Sequence, residues 1–405
     1  MIRSITRPIT SPIARAVTDA YGAAWNPRAL FALGEQGVIY DPNDLSTLFQ
    51  DAAGTIPVTA AGQPVGLMLD KRLGLMRGAE LVTNGDFSAG PTGWILGAGW
   101  GISGGRAQID GSNAASSLLT FTAGVPSKAG VHYEVSYQYS VTTGRIRFNP
   151  VMGNSTALVG AGNTGVFRGV VVATSTSASV GVSIQATDAG TVAWVDNISI
   201  RELPGNHAFQ PTAASRPMLR QNATTGAYYL ATDGSDDWMQ TDAIDFTGTD
   251  KISLFTGIRK LSDAAAGIVC ELSASSGTTA GTFYIAAPTG STDTYGCRSG
   301  GSVPGALAAA AGRPAPNTSV VTGAGNISAD SSVLRLNGTQ AAMSTADQGT
   351  GNFGNYPLYL FRRGGTTLPF NGHFYGLTIV GRLCTAAETR NVERLYANKA
   401  GVTLA

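Results

Sequence analysis

The chain has 405 residues, of which 53 are Gly and only 13% are charged, so its length allows two or three domains with cores that need no disulfide or metal staples. Lys plus Arg number 27 against 26 Asp plus Glu, a formal charge of +1, and this excludes a bulk field that would recruit nucleic acid or an anionic membrane. Abundant Gly, Ser, Thr and Ala suit short strands joined by tight turns, and the expected class is all-β.

The opening stretch, Met1 to Val17, is basic and acid-poor, but Pro8 and Pro12 interrupt it and no apolar core follows, so it does not read as a secretory signal. No run approaches the roughly 18 apolar residues of a membrane span, and membrane insertion is not expected. Arg3 to Gly22 reads as an extended arm that orders on a partner. Asp41 to Asp51 reads as a turn with a cap at Asp41 or Asn43, then a short helix with Leu45, Leu48 and Phe49 on one face. Pro57 to Asp70 reads as strand, turn, strand. Residues 1–78 are too few to make a sizeable core, so their apolar side chains are expected to be covered by other chains.

From residue 79 to 203 the period is two. His132 to Val141 places Tyr133, Val135, Tyr137 and Tyr139 on one face, and Gly165 to Thr174 and Val180 to Thr187 add strands. Residues 204–215 are turn-rich and read as a linker. The last segment, 216–405, starts with a hairpin-like Tyr228 to Thr241. Strands are expected at Lys251 to Lys260, Gly267 to Leu272, Thr282 to Ala287, Ser331 to Leu336, Pro357 to Phe361 and Phe374 to Val380, with Asn337-Gly338 as a hairpin turn. A C-terminal helix follows, capped by Thr385 with Glu388 as its box partner, with Val392, Leu395 and Tyr396 on one face and Gly401 at its end.

Little in the sequence promises chemistry. Cys270, Cys297 and Cys384 fit no metal spacing and read as small buried hydrophobes, and His132, His207 and His373 are too scattered for a catalytic set. Asp233, Asp236 and Asp237 cluster, but Asp-Gly-Ser-Asp-Asp has the composition of a turn whose carboxylates bond local amides. The expectation is therefore a binding protein and not an enzyme. Trp94 and Trp100 are the candidate glycan contacts, because an indole offers a flat apolar face to a sugar ring; plugging the end of a sandwich is their other reading.

Three resemblances add to this. Gly34 to Arg72 resembles a segment that recurs near the N-termini of tailed-phage and prophage structural proteins. It implies a virion-attachment end at residues 1–78, contacts with other virion proteins, and a homo-oligomer, commonly a trimer. "ELVTNGDFSAGPTGW" and "VDNISIREL" resemble the first and last strands of jelly-roll carbohydrate-binding modules. In that family the two ends lie side by side and a structural calcium often sits at their junction, which makes Asn84, Asp86 and Asp196 candidate oxygen ligands. Tyr228 to Thr241 and the closing strand and helix resemble laminin-G or concanavalin-like sandwiches.

The expected architecture is thus two β-sandwiches in series behind a short, partly extended N-terminal region. The expected function is a tail-fibre or receptor-binding protein on the virion that grips host polysaccharide or lipopolysaccharide. A capsid decoration, head-fibre or collar protein without glycan binding and a polysaccharide depolymerase are the alternatives.

Overall fold

A computed structural model describes residues 25–150, 158–274 and 280–405. The arm expected at Arg3 to Gly22 lies outside the described residues. The fold is all-β, built as two sandwiches of antiparallel sheets with one α-helix among the described residues, Ala386–Ala400.

The smaller sandwich spans the segment from about residue 79 to 203. One five-stranded sheet runs in the order Val159–Gly160, Arg145–Pro150, Ser177–Ala186, Ser117–Ser127 and Trp94–Leu96; the other runs Thr164–Val172, His132–Thr143, Val192–Glu202, Arg106–Asp110 and Trp100–Ser103. Alternation decides which faces meet. Tyr133, Val135 and Tyr137 go into the core while Glu134, Ser136 and Gln138 stay on the other side, and Leu119, Phe121, Phe148 and Ile184 close the core from the opposite sheet. The ends of the segment do lie side by side, since Ile198 N–H donates to the Gly85 carbonyl at 2.9 Å and Leu81 N–H to the Ile200 carbonyl at 3.0 Å.

The larger sandwich is assembled from both flanks of the smaller one. Its eight-stranded sheet orders Met218–Gln221, Tyr228–Asp233, Asn371–Val380, Lys251–Lys260, Asn317–Asn326, Ser331–Leu336 and Thr339–Ser344, and Gly37–Tyr40 pairs antiparallel with the far half of Asn371–Val380. Its nine-stranded sheet orders Leu48–Phe49, Leu67–Met68, Ala208–Phe209, Met239–Asp245, Asn355–Leu360, Ile268–Leu272, Thr282–Ala286, Tyr295–Gly300 and Ala308–Ala310. The helix covers the outside of the eight-stranded sheet through Val392 and Tyr396 packed on Phe255, Val320 and Val380.

Residues 25–70 therefore find their cover inside this chain rather than on other chains. Val38, Tyr40, Leu48, Val58, Val65 and Met68 belong to the same core as Leu254, Phe283 and Leu377. Ion pairs reinforce the seam, Lys399 to Asp41 at 2.7 Å and Arg382 to Glu35 at 2.9 Å. The stretch 204–215 is likewise no free linker, because Ala208–Phe209 pairs with Leu67–Met68 on one side and Phe209 with Gln240 on the other. The helix expected after Asp41 is a single 3-10 turn, Leu45–Thr47, that gives way to the strand Leu48–Phe49. Leu48 faces the main core and Phe49 the opposite side, so two buried faces impose a period of two where the sequence alone allowed a helical one. Between Pro57 and Asp70 only Leu67–Met68 forms a strand; Pro57 and Pro64 lack the donor a ladder needs and make single bridges.

Candidate functional site

Of the residues singled out from sequence, the two tryptophans are buried, Trp94 meets Asn84, and the three candidate metal ligands are hydrogen-bonded within the fold. Trp94 is 6% exposed, wedged between Phe87 and Phe121 with ring centroids 5.2 Å away on each side, and its Nε1 donates to the Asn84 carbonyl at 3.1 Å. Trp100 is 7% exposed in the same core. Both indoles plug the small sandwich, so the expectation that they stack on sugar is corrected: neither offers a free face.

Asn84 sits in the left-handed region at φ 53°, where its Nδ2 donates to the Gly90 and Thr92 carbonyls and its Oδ1 accepts from Ala89 N–H. Asp86 caps Ser88 through backbone and hydroxyl, and Asp196 accepts from Asn197 N–H at 2.7 Å and faces Arg106 at 3.8 Å. The three side chains make their hydrogen bonds within the turn and the closing strand. Among the described residues no group of three or more His, Cys, Asp or Glu could hold a metal ion. The Asp233 to Asp237 cluster is a turn too: Asp233 N–H donates to Asp237 Oδ2 at 3.0 Å, Ser235 N–H to Asp233 Oδ1 at 2.7 Å, and Ser215 Oγ to Asp236 Oδ2 at 2.7 Å. Burial, with Asp233 and Asp236 beside it, lifts the Asp237 carboxyl to about 6.

A different arrangement appears on the outer face of the nine-stranded sheet, the side turned away from the main core. Cross-strand register sets Phe49, Leu67, Phe209, Gln240, Tyr359, Glu271, Tyr284 and Arg298 in one row over eight neighbouring strands. Their sequence neighbours Leu48, Met68, Met239, Leu358, Leu360, Cys270, Leu272, Phe283, Ile285 and Cys297 point the other way, into the core.

The row divides in two. Phe49, Leu67 and Phe209 form an apolar patch on which the small sandwich sits through Val170 and Leu203, and Val170 N–H donates to the Gly54 carbonyl at 2.8 Å. The other five positions, Gln240 to Arg298, are polar or aromatic, and the small sandwich stops short of them. A cleft of about 200 Å³ marks the boundary, lined by Val171, Val172, Thr174, Phe209, Pro211 and Asp242. Five strands at the usual spacing make this half of the row about 19 Å long.

Its centre is a buried carboxylate. Glu271 is fully buried; its Oε1 accepts from Ser273 Oγ at 2.7 Å and its Oε2 from Arg363 Nε at 2.8 Å. Arg363 also lies over the Tyr284 ring at 5.2 Å, and Arg298 approaches that ring at 5.9 Å. Trp238 leans on Tyr359 with centroids 6.2 Å apart. Burial, then the Glu271 charge, pushes the Tyr359 hydroxyl upward, so it stays protonated and able to donate. A row carrying an amide, two phenols, a carboxylate and one guanidinium, with the Arg363 guanidinium beside it, can donate and accept many hydrogen bonds. Sequence reading passed over these residues because each stands alone in its strand. The one available signal was Glu271, a charge inside the otherwise apolar "IVCEL".

Fold and row together define a protein of nested β-sandwiches with a polar, aromatic row on the outer face of one sheet; Glu271, Tyr284 and Tyr359 are buried there, with Leu307 and Leu368 packed beside Tyr284, and Gln240 and Arg298 are half-buried. No family model matches the chain, and no curated protein does. Among solved structures it is similar to the CBM40 domain of Ruminococcus gnavus IT-sialidase bound to α2,3-sialyllactose, at 13% identity over 42% of this chain and 95% of that one, with a TM-score of 0.31. It is similar also to the serotype D binding domain of botulinum neurotoxin, at 10% identity over 46% of this chain and 48% of that one, with a TM-score of 0.32. At these values the likeness assigns the chain to no family.

Proposed function

We propose that this chain is a glycan-binding adhesion protein and that it binds along the row from Gln240 to Arg298. The observation that carries the reading is the division of one sheet face. The strands are continuous across it, yet the apolar half is covered by the small sandwich while the other half carries a buried, hydrogen-bonded charge at Glu271 between the half-buried ends Gln240 and Arg298. Holding a carboxylate out of water costs free energy unless it is paired, and Arg363 and Ser273 pair Glu271 here. The half-buried Trp238 ring beside Tyr359, with half-buried Gln240 and Arg298 along the row, matches a sugar, which presents apolar C–H faces edged by hydroxyls.

In this reading the protein belongs to a virion, as a fibre or receptor-binding component, and repeated copies multiply weak single-site contacts. That part rests on the resemblance of Gly34 to Arg72 to phage structural proteins. Since this segment is used inside the large sandwich, particle contacts fall to residues 1–24 and to exposed apolar side chains nearby, Leu33, Ile56 and Met76. A homo-oligomer, a trimer by the same resemblance, and host polysaccharide or lipopolysaccharide are its partners.

The test is a glycan array probed with the intact chain beside Trp238→Ala and Gln240→Ala. Binding by the parent that falls at least tenfold in both variants, with unchanged melting temperature, supports the platform. A blank array favours a decoration protein without a glycan ligand, and shortened chains after incubation with purified polysaccharide favour a depolymerase.

A further inference from the structure

Resting on the platform reading, we infer that the glycan is acidic and that Arg298 takes the carboxylate of a charged sugar. The charges along the row do not balance. Arg363 is neutralised by Glu271 through a 2.8 Å contact, and Glu271 is held further by Ser273. Arg298 stands two strands from Glu271, in register with Tyr284, and takes part in none of the ion pairs among the described residues. Its Nε is buried without a hydrogen-bond partner, and so is that of Arg362, next in sequence to Arg363.

A buried guanidinium Nε left without an acceptor is costly unless a ligand completes it, and Arg298 is half-buried, so its terminal nitrogens remain within reach of one. Arg259, on the eight-stranded sheet away from the row, has a buried Nε without a partner as well, whereas the buried charged groups at Lys260, Glu393 and Asp70 are each paired within the chain. Arg298 offers the planar fork that fits a carboxylate with two parallel bonds, and the Tyr284 ring beside it holds the fork in orientation. A sulfate or phosphate would meet the same fork with two of its oxygens, so the carboxylated and sulfated members of the array separate the two anions. Gln240, half-buried at the far end, then faces the neutral hydroxyls of the following sugars.

The experiment uses the intact chain on an array of neutral, carboxylated and sulfated glycans. The tightest carboxylated binder is then titrated against the parent, Arg298→Gln and Arg298→Lys, and its carboxyl methyl ester against the parent. The expected result is a preference for carboxylated members. The methyl ester and Arg298→Gln should each weaken binding by at least tenfold, and Arg298→Lys should do so by less, since charge survives and the fork does not. Arg298→Gln should melt within a degree or two of the parent. Binding to neutral or sulfated glycans alone, or an unchanged affinity in Arg298→Gln, overturns the acidic-ligand inference while leaving the platform standing. No binding to any glycan overturns both.

Discussion

Trp94 shows how one residue can keep its chemistry and lose its expected role. The indole is as flat and apolar as a sugar contact needs to be, but Phe87 and Phe121 already occupy its faces and Asn84 takes its N–H. Trp94→Ala should therefore destabilise the small sandwich by about 3–5 kcal/mol, the usual range for emptying an aromatic core position, and leave glycan affinity of the folded fraction unchanged; thermal melting together with titration checks both halves. Gly85 carries a second lesson. A Cβ there would stand 2.0 Å from the Ile198 carbonyl oxygen, so the Asn-Gly-Asp turn needs glycine for close approach of the closing strand. Glu271 is the residue whose loss should matter most on the platform. Glu271→Ala leaves Arg363 facing Tyr284 with no counter-charge, and breaking a buried pair from one side costs about 3–5 kcal/mol. Urea unfolding is the measurement, and a change under 1 kcal/mol would contradict the assigned pairing.

At the scale of elements, local signals worked where an element satisfies itself. The C-terminal helix has both halves of its capping box, with Glu388 N–H donating to Thr385 Oγ1 at 3.2 Å and Thr385 N–H to Glu388 Oε2 at 2.8 Å, and Gly401 closes it at φ 72°. Thr385→Ala should cost about 1 kcal/mol in urea titrations. The strand Lys251–Lys260 and the Asn337-Gly338 turn were legible for the same reason, a clear apolar run and a paired positive φ of 51° and 90°. Gly37–Tyr40 and Leu48–Phe49 were not. Each is short, and each becomes a strand only because a distant edge accepts it: Val38 opposite Ile379, Leu48 opposite Met68.

Across the whole molecule, the small sandwich is an insertion between two parts of the large one. Residues 79–203 should fold when expressed alone, whereas 204–405 without 25–78 should not, because that piece lacks the Gly37–Tyr40 edge and a share of the core from Val38 to Met68; circular dichroism of the two fragments is the check, and a cooperative melt from 204–405 alone would refute it. The joint between the bodies should respond to pH. His132 and His207 meet edge to face with centroids 4.5 Å apart, His207 Nδ1 accepting from Asp70 N–H at 2.8 Å. Burial first, then the neighbouring His207, drives His132 well below its usual 6.5, and burial lowers His207 despite the Leu203 carbonyl and Asp70 beside it. A histidine whose folded value is depressed leaves stability intact above its unfolded value and removes it as pH falls through that value. Asp237, raised to about 6, works the opposite way over part of the same range. The comparison that isolates the joint is therefore His132→Leu against the parent: the melting temperature of the parent should fall more steeply between about pH 7 and pH 5.

The amino-acid order by itself determined the all-β class, most of the long strands, the helix with both its ends, and the turn-like character of the acidic clusters. These depend on contacts within a few residues or on a period that repeats along one segment. Tertiary structure decided what covers residues 25–70, which aromatic rings are spent in cores, and which side chains line up across strands. Gln240, Tyr359, Glu271, Tyr284 and Arg298 lie in five separate segments, and only the register of the nine-stranded sheet makes them neighbours. A row of that kind leaves no local pattern, because its period runs perpendicular to the chain.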